Sequence, residues 1–236
     1  RVEPMRLGIN ITPNAVLAIP AAIGCVLGFA YINSIMVSFI DFSPLFESDP
    51  LDTPIKALLS FISIALVPAC CEEFLFRGCV LSNLLPFGKT VAIIASSLLF
   101  ALMHGNIAQF FYTFAAGVVL GLVYVETGSI WTSFFIHLFN NFTSVASSVV
   151  IDNFGEEAAY SITMMLDIFV ICLGLLCAVI LIYRKKGKLF TVETAREKQI
   201  SSKGALKHFF NPVMIAFLVF SGIEALSTVL MLFVLV

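Results

Sequence analysis

The chain has 236 residues, is 60% hydrophobic and only 12% charged, and carries a formal net charge of −2. A soluble domain rarely exceeds about half apolar residues, and the excess here falls in runs of roughly twenty, the length that crosses a hydrocarbon core; the mean hydropathy is +1.04. Together these exclude a soluble globule, a membrane barrel, whose strands would alternate over about ten positions, and a nucleic-acid-binding surface.

The predicted fold is all-α, a polytopic transmembrane helical bundle with about seven spans. The first is expected from Pro13 to Ile40, followed by an acidic loop with Asp41, Glu47, Asp49 and Asp52. A second helix starts at Thr53 and Pro54, where proline suits the first turn, and runs towards Asn83 until Pro86-Phe87-Gly88 breaks it. A third covers Lys89 to His104 and is stopped by Gly105-Asn106. The fourth runs from Ile107 to Val125, the fifth from Ile130 to Val150, and the sixth from Tyr160 to Tyr183. A basic loop follows, with a short surface helix expected over Thr191 to Lys198, and a seventh span from Phe209 to Val236 ends the chain.

Charge orients this array. Of thirteen Lys and Arg, eight lie between Arg184 and Lys207. Placing the amino terminus in the cytoplasm puts that cluster and Lys89 on the cytoplasmic side, and the acidic loops on the other, as the positive-inside rule requires. The chain begins at Arg1 rather than Met, so trimming is expected, and no cleavable signal peptide is visible. The six cysteines fit neither a zinc pattern nor a disulfide framework and read as apolar packing residues. Gly24-x-x-x-Gly28 and Gly117-x-x-x-Gly121 let helices approach closely, here within one chain.

Three apolar helices carry side chains that lipid would not tolerate: Glu72, Glu73 and Arg77, then His104, then His137 and Asn141. Such groups normally face a shared polar cavity within the membrane and work there. Glu73 and Arg77 are four apart and pair on one helix face. Glu72 is turned about 100° away, which leaves it available as a base. Pro68 disturbs the preceding turn, and Phe74, Leu75 and Phe76 desolvate the neighbourhood, a setting that suits a general base. His137 and Asn141 share a mid-span face and can donate hydrogen bonds, as an oxyanion hole requires; Asn140 is adjacent but rotated away. Asp167 and Glu224 are further intramembrane acids, read either as a substrate path or as contacts within the bundle.

The motifs Glu72-Glu73-x-x-x-Arg77, Phe100-x-x-x-His104 and His137-x-x-x-Asn141 resemble, in order and spacing, those of the CAAX-processing and bacteriocin-processing (CPBP, or Abi) intramembrane proteases, related to the Ras-converting CAAX endopeptidase. The resemblance covers Pro54 to Val150. It divides the chain into residues 1–53 with the first span, a catalytic core over 54–150, and C-terminal spans over 151–236 with the basic loop 184–207. It implies an integral membrane endopeptidase acting on membrane-associated or lipidated peptides. In it Glu72 would activate water, His104 would position it, His137 and Asn141 would stabilise the oxyanion, and Glu73 and Arg77 would order the site. No cofactor is favoured. A zinc ion on Glu72, His104 and His137 is the competing arrangement, although no His-Glu-x-x-His segment is present and an amide is a poor zinc ligand. Two other functions use the same residues: a non-proteolytic immunity or scaffolding protein of this fold, and a proton-coupled transporter, against which no duplicated motif is found.

Overall fold

The structure, a computed structural model, describes residues 7, 8, 12–39, 50–186 and 212–235, and among them it contains helices and no strands. The surface helix expected over Thr191 to Lys198 and most of the basic loop lie outside the described residues. Among the described residues seven helical stretches follow one another: α1 (Pro13–Val37), α2 (Pro54–Phe87), α3 (Lys89–Met103), α4 (Ile107–Thr127), α5 (Ile130–Phe154), α6 (Glu156–Arg184) and α7 (Pro212–Leu235).

Their ends are written in the sequence. Thr12 caps α1 by accepting from the Ala15 N–H at 3.1 Å, and Thr53 does the same for α2 with the Lys56 N–H at 3.4 Å; in both, proline occupies the next position, where a missing N–H costs nothing. Just outside α2, the exposed Asp52 carboxyl is held below the usual carboxylate range by a 2.7 Å hydrogen bond from Lys56 Nζ. His104 and Gly105 end α3, Gly105 taking the left-handed φ of +59°. Asn106 then caps α4 through the Ala108 N–H at 2.9 Å.

Among the described residues five helices are long and apolar enough to cross a membrane: α1, α2, α4, α5 and α6. The expected third span departs from this pattern. α3 has 15 residues, about 22 Å at ~1.5 Å per residue, short of the roughly 30 Å hydrocarbon core. His104 therefore ends a helix shorter than the hydrocarbon core is thick. Polar contacts join the loop ends as an alternating bundle demands. The Leu51 N–H donates to Asp152 Oδ2 at 2.6 Å, and Asn153 Nδ2 donates to Leu51 O at 3.1 Å. Away from these, Lys185 Nζ pairs with Glu126 Oε2 at 2.7 Å, and Trp131 Nε1 donates to Leu7 O at 3.1 Å.

α2 is not a uniform helix. Its segments Phe61–Leu66 and Phe74–Leu81 are wound as π-helix, on either side of the α-helical Val67–Glu73. Such widened turns concentrate at functional sites, and here they bracket the acidic pair.

Helix contacts rely on glycine where backbones meet. A Cβ built on Gly174 would lie 2.7 Å from Pro20 O and 2.8 Å from Gly24 Cα, so α1 and α6 touch backbone to backbone there. A Cβ on Gly117 would lie 3.0 Å from Ser97 Cβ, and one on Gly121 would meet Leu81 and Ile93, which docks α4 on α2 and α3. Within-chain packing thus accounts for Gly24, Gly117 and Gly121, whereas a Cβ on Gly28 would meet nothing within 4 Å. Gly174→Val is expected to lower stability by about 1–3 kcal/mol through forced separation of α1 and α6. Gly28→Ala, by contrast, should leave the thermal unfolding midpoint in detergent almost unchanged; equal midpoints for both variants would contradict the close contact. The cysteines are free, but Cys177 alone is buried, while Cys25, Cys70, Cys71 and Cys172 are exposed. The expected packing role therefore holds for Cys177 and not for those four, whose helix faces point away from the bundle.

Candidate active site

The site is assembled around Glu73. Its Oε1 accepts a 2.7 Å hydrogen bond from Arg77 Nη1, one turn along α2, and both side chains are only 1% exposed. This is the pairing the four-residue spacing predicts. The tertiary structure adds two further partners to it. Arg77 Nη2 donates to Gly117 O on α4 at 3.1 Å, and His137 Nδ1 on α5 lies 2.9 Å from the same Glu73 oxygen. A carboxylate paired with arginine accepts, so His137 Nδ1 carries the proton that makes this bond, and Nε2 is left as the outward-facing nitrogen.

Glu72 approaches that second nitrogen: its Oε2 is 3.7 Å from His137 Nε2. The distance is too long for a direct hydrogen bond. Consistent with that, Glu72 Oε2 is buried without a hydrogen-bond partner, as are Glu73 Oε2 and Arg77 Nε. Neighbouring carboxylates of one helix thus flank one imidazole on its two sides. One is neutralised by arginine, and the other has no hydrogen bond at Oε2.

Phe100 explains the Phe-x-x-x-His motif. Its carbonyl accepts from His104 Nδ1 at 2.8 Å, fixing that ring with Nε2 free. Its ring stands edge-on to those of His104 and His137, at centroid distances of 4.8 and 5.7 Å. The Arg77 guanidinium carbon lies 4.7 Å from the same ring's centroid, a cation–π contact in a dry environment.

A cavity of about 800 Å³ opens beside these groups, bounded by α1, α3, α4, α5 and α6. His104, His137, Asn140 and Asn141 line it, whereas Glu72, Glu73 and Arg77 are not in its wall. Asn140, expected to be rotated away, lines the cavity with Asn141 because both amides belong to one relay. The Tyr112 hydroxyl donates to Asn140 Oδ1 at 2.6 Å, Asn140 Nδ2 donates to Asn141 Oδ1 at 3.2 Å, and Asn141 Nδ2 points to Ile64 O at 3.4 Å. Ile64 is four residues before Pro68, which has no N–H to offer that carbonyl. The relay sets which end of each amide donates. Sequence reading missed Tyr112. A phenolic hydroxyl inside an apolar helix signals a hydrogen bond, but its partner 28 residues away has no local signature.

Among the described residues no three His, Cys, Asp or Glu side chains stand together so as to hold a metal ion. Glu72, His104 and His137 do not form such a set here.

Helices of this length and apolarity, closed around a buried carboxylate–histidine–arginine cluster, define an integral membrane protein of all-α fold with a candidate hydrolytic site. Residues 54–143 match the family model of the type II CAAX prenyl endopeptidase Rce1-like proteins. All three motifs fall within the matched stretch, in agreement with the resemblance drawn from them. A search of curated proteins found no match, and neither did one of solved structures.

Proposed function

We propose that this protein is an intramembrane endopeptidase that hydrolyses membrane-associated or lipidated peptides with a water activated by Glu72. The observation that carries this reading is the division of labour around His137, with Glu73 neutralised by Arg77 and Glu72 Oε2 free of hydrogen bonds 3.7 Å from His137 Nε2. That is what a base needs, a carboxylate with lone pairs free beside a polar partner.

In this reading Glu72 takes a proton from water as the water oxygen bonds to the scissile carbonyl carbon. His104, with Nδ1–H spent on Phe100 O, presents Nε2 as an acceptor that orients the water. The tetrahedral oxyanion is met by the Asn141 amide N–H. It is also met by His137 Nε2 when the ring is imidazolium, the ion whose charge faces the Glu73 carboxylate. Collapse breaks the C–N bond, and the proton held by Glu72 passes to the leaving amine. The catalytic core is residues 54–150, and the basic loop 184–207 places the amino terminus on the cytoplasmic side of the cell membrane.

The test is cleavage of a membrane-tethered peptide library by the purified protein in detergent, with and without stringent chelation. Cleavage that resists chelation supports the glutamate mechanism without metal. Loss on chelation that zinc restores would replace it with a metal site on Glu72, His104 and His137. Tyr112→Phe gives a finer test. Removing the hydroxyl frees the Asn140 amide to turn, and with it Asn141, so kcat should fall about tenfold with KM little changed, as for a group acting only in the transition state. An equal rise in KM would assign Tyr112 to substrate binding instead.

A further inference from the structure

The cavity wall contains one formally charged side chain that the proposed mechanism does not use. Asp167, eleven residues into α6, lines the same cavity as His137 and Asn141. Among the described residues that line it there is no Lys, Arg or Glu. Among the described residues Asp167 has no hydrogen-bond or ion-pair partner. Leu166 and Val170 beside it in the wall are apolar, and Thr163, one turn before it, spends its hydroxyl on Ala159 O at 2.7 Å. A bundle contact that would explain this acid is therefore missing among the described residues. A carboxylate in the middle of a membrane helix is costly, and normally faces a partner or a pathway. Here a group that enters the cavity can supply that partner.

Resting on the endopeptidase reading, we propose that Asp167 selects substrates by pairing with a basic side chain, Lys or Arg, of a peptide held in this cavity. A carboxylate in a largely apolar pocket favours one cationic group by a charge-assisted hydrogen bond. It rejects an acidic one by repulsion and desolvation. The site then reads two features of one peptide, an apolar segment along the walls and a positive charge at a fixed distance from the scissile bond.

The test is binding, which needs no turnover. Acyl-anchored fluorescent peptides of one apolar sequence carry Lys, norleucine or Glu walked along successive positions. Their affinities for the detergent-purified protein are read by anisotropy. At one position the wild type should bind the Lys peptide about tenfold tighter than its norleucine twin, as a charge-assisted hydrogen bond allows. Asp167→Asn should bring that ratio close to one, and Asp167→Lys should turn the preference to Glu. A wild type indifferent to charge at every position overturns the assignment, as does an Asp167→Asn variant that keeps the full Lys preference. The two proposals fail separately. Peptides bound with the Asp167-dependent preference but never cut would sink the protease reading alone. Cleavage without charge preference would sink this assignment alone.

Discussion

Glu72→Gln is expected to lower the cleavage rate by about 10²–10⁴-fold, the usual contribution of a positioned general base, with the helical bundle intact. The substitution keeps size and shape. Glu72 Oε2 has no hydrogen bond to lose, so little folding energy rests on the charge. Single-turnover cleavage of a tethered peptide, with thermal unfolding in the same detergent, would separate the two effects. A variant that still cuts at the wild-type rate would remove Glu72 from the chemistry. Glu73→Gln should behave in the opposite way. It should unfold more easily, because the Arg77 guanidinium, 1% exposed, would be left without its counter-charge.

That buried network gives the second large effect. Arg77→Met is expected to cost about 3–5 kcal/mol of stability, the range for breaking one side of a buried ion pair. The loss is the uncompensated Glu73 carboxylate, together with the hydrogen bond to Gly117 O and the cation–π contact with Phe100. Replacing both partners, Glu73→Gln with Arg77→Met, should cost less than the sum of the single changes, because no lone charge remains buried. The double variant should nevertheless stay inactive, since the carboxylate that holds His137 Nδ1 is gone. Denaturation midpoints of the four proteins measure the coupling. Additive losses would mean that Glu73 and Arg77 do not act as a pair.

The sequence by itself determined a good part of this protein. Runs of about twenty apolar residues specify membrane helices, because unpaired backbone groups cannot be left in lipid. Thr12, Thr53 and Asn106 mark helix starts through caps that depend only on neighbouring residues. The Glu73–Arg77 pair follows from helical geometry alone, and the three motifs name the candidate site because ionisable groups in hydrocarbon are kept for a purpose. Where partners lie on different helices, only the tertiary structure decided. Spacing along α2 cannot show that His137 is shared by Glu72 and Glu73, since 64 residues separate it from Glu73. Nor does it show that Gly117 O completes the arginine. The reading of Asn140 as rotated away assumed one functional face on α5, but the neighbouring Tyr112 draws Asn140 towards α4 and into the cavity wall. α3 reads as a span because its composition is apolar, and its 15 residues end at the turn that carries His104. Composition and local spacing are set by short-range physics, whereas the site and its cavity come from how α1, α3, α4, α5 and α6 pack, through contacts between residues far apart in the chain.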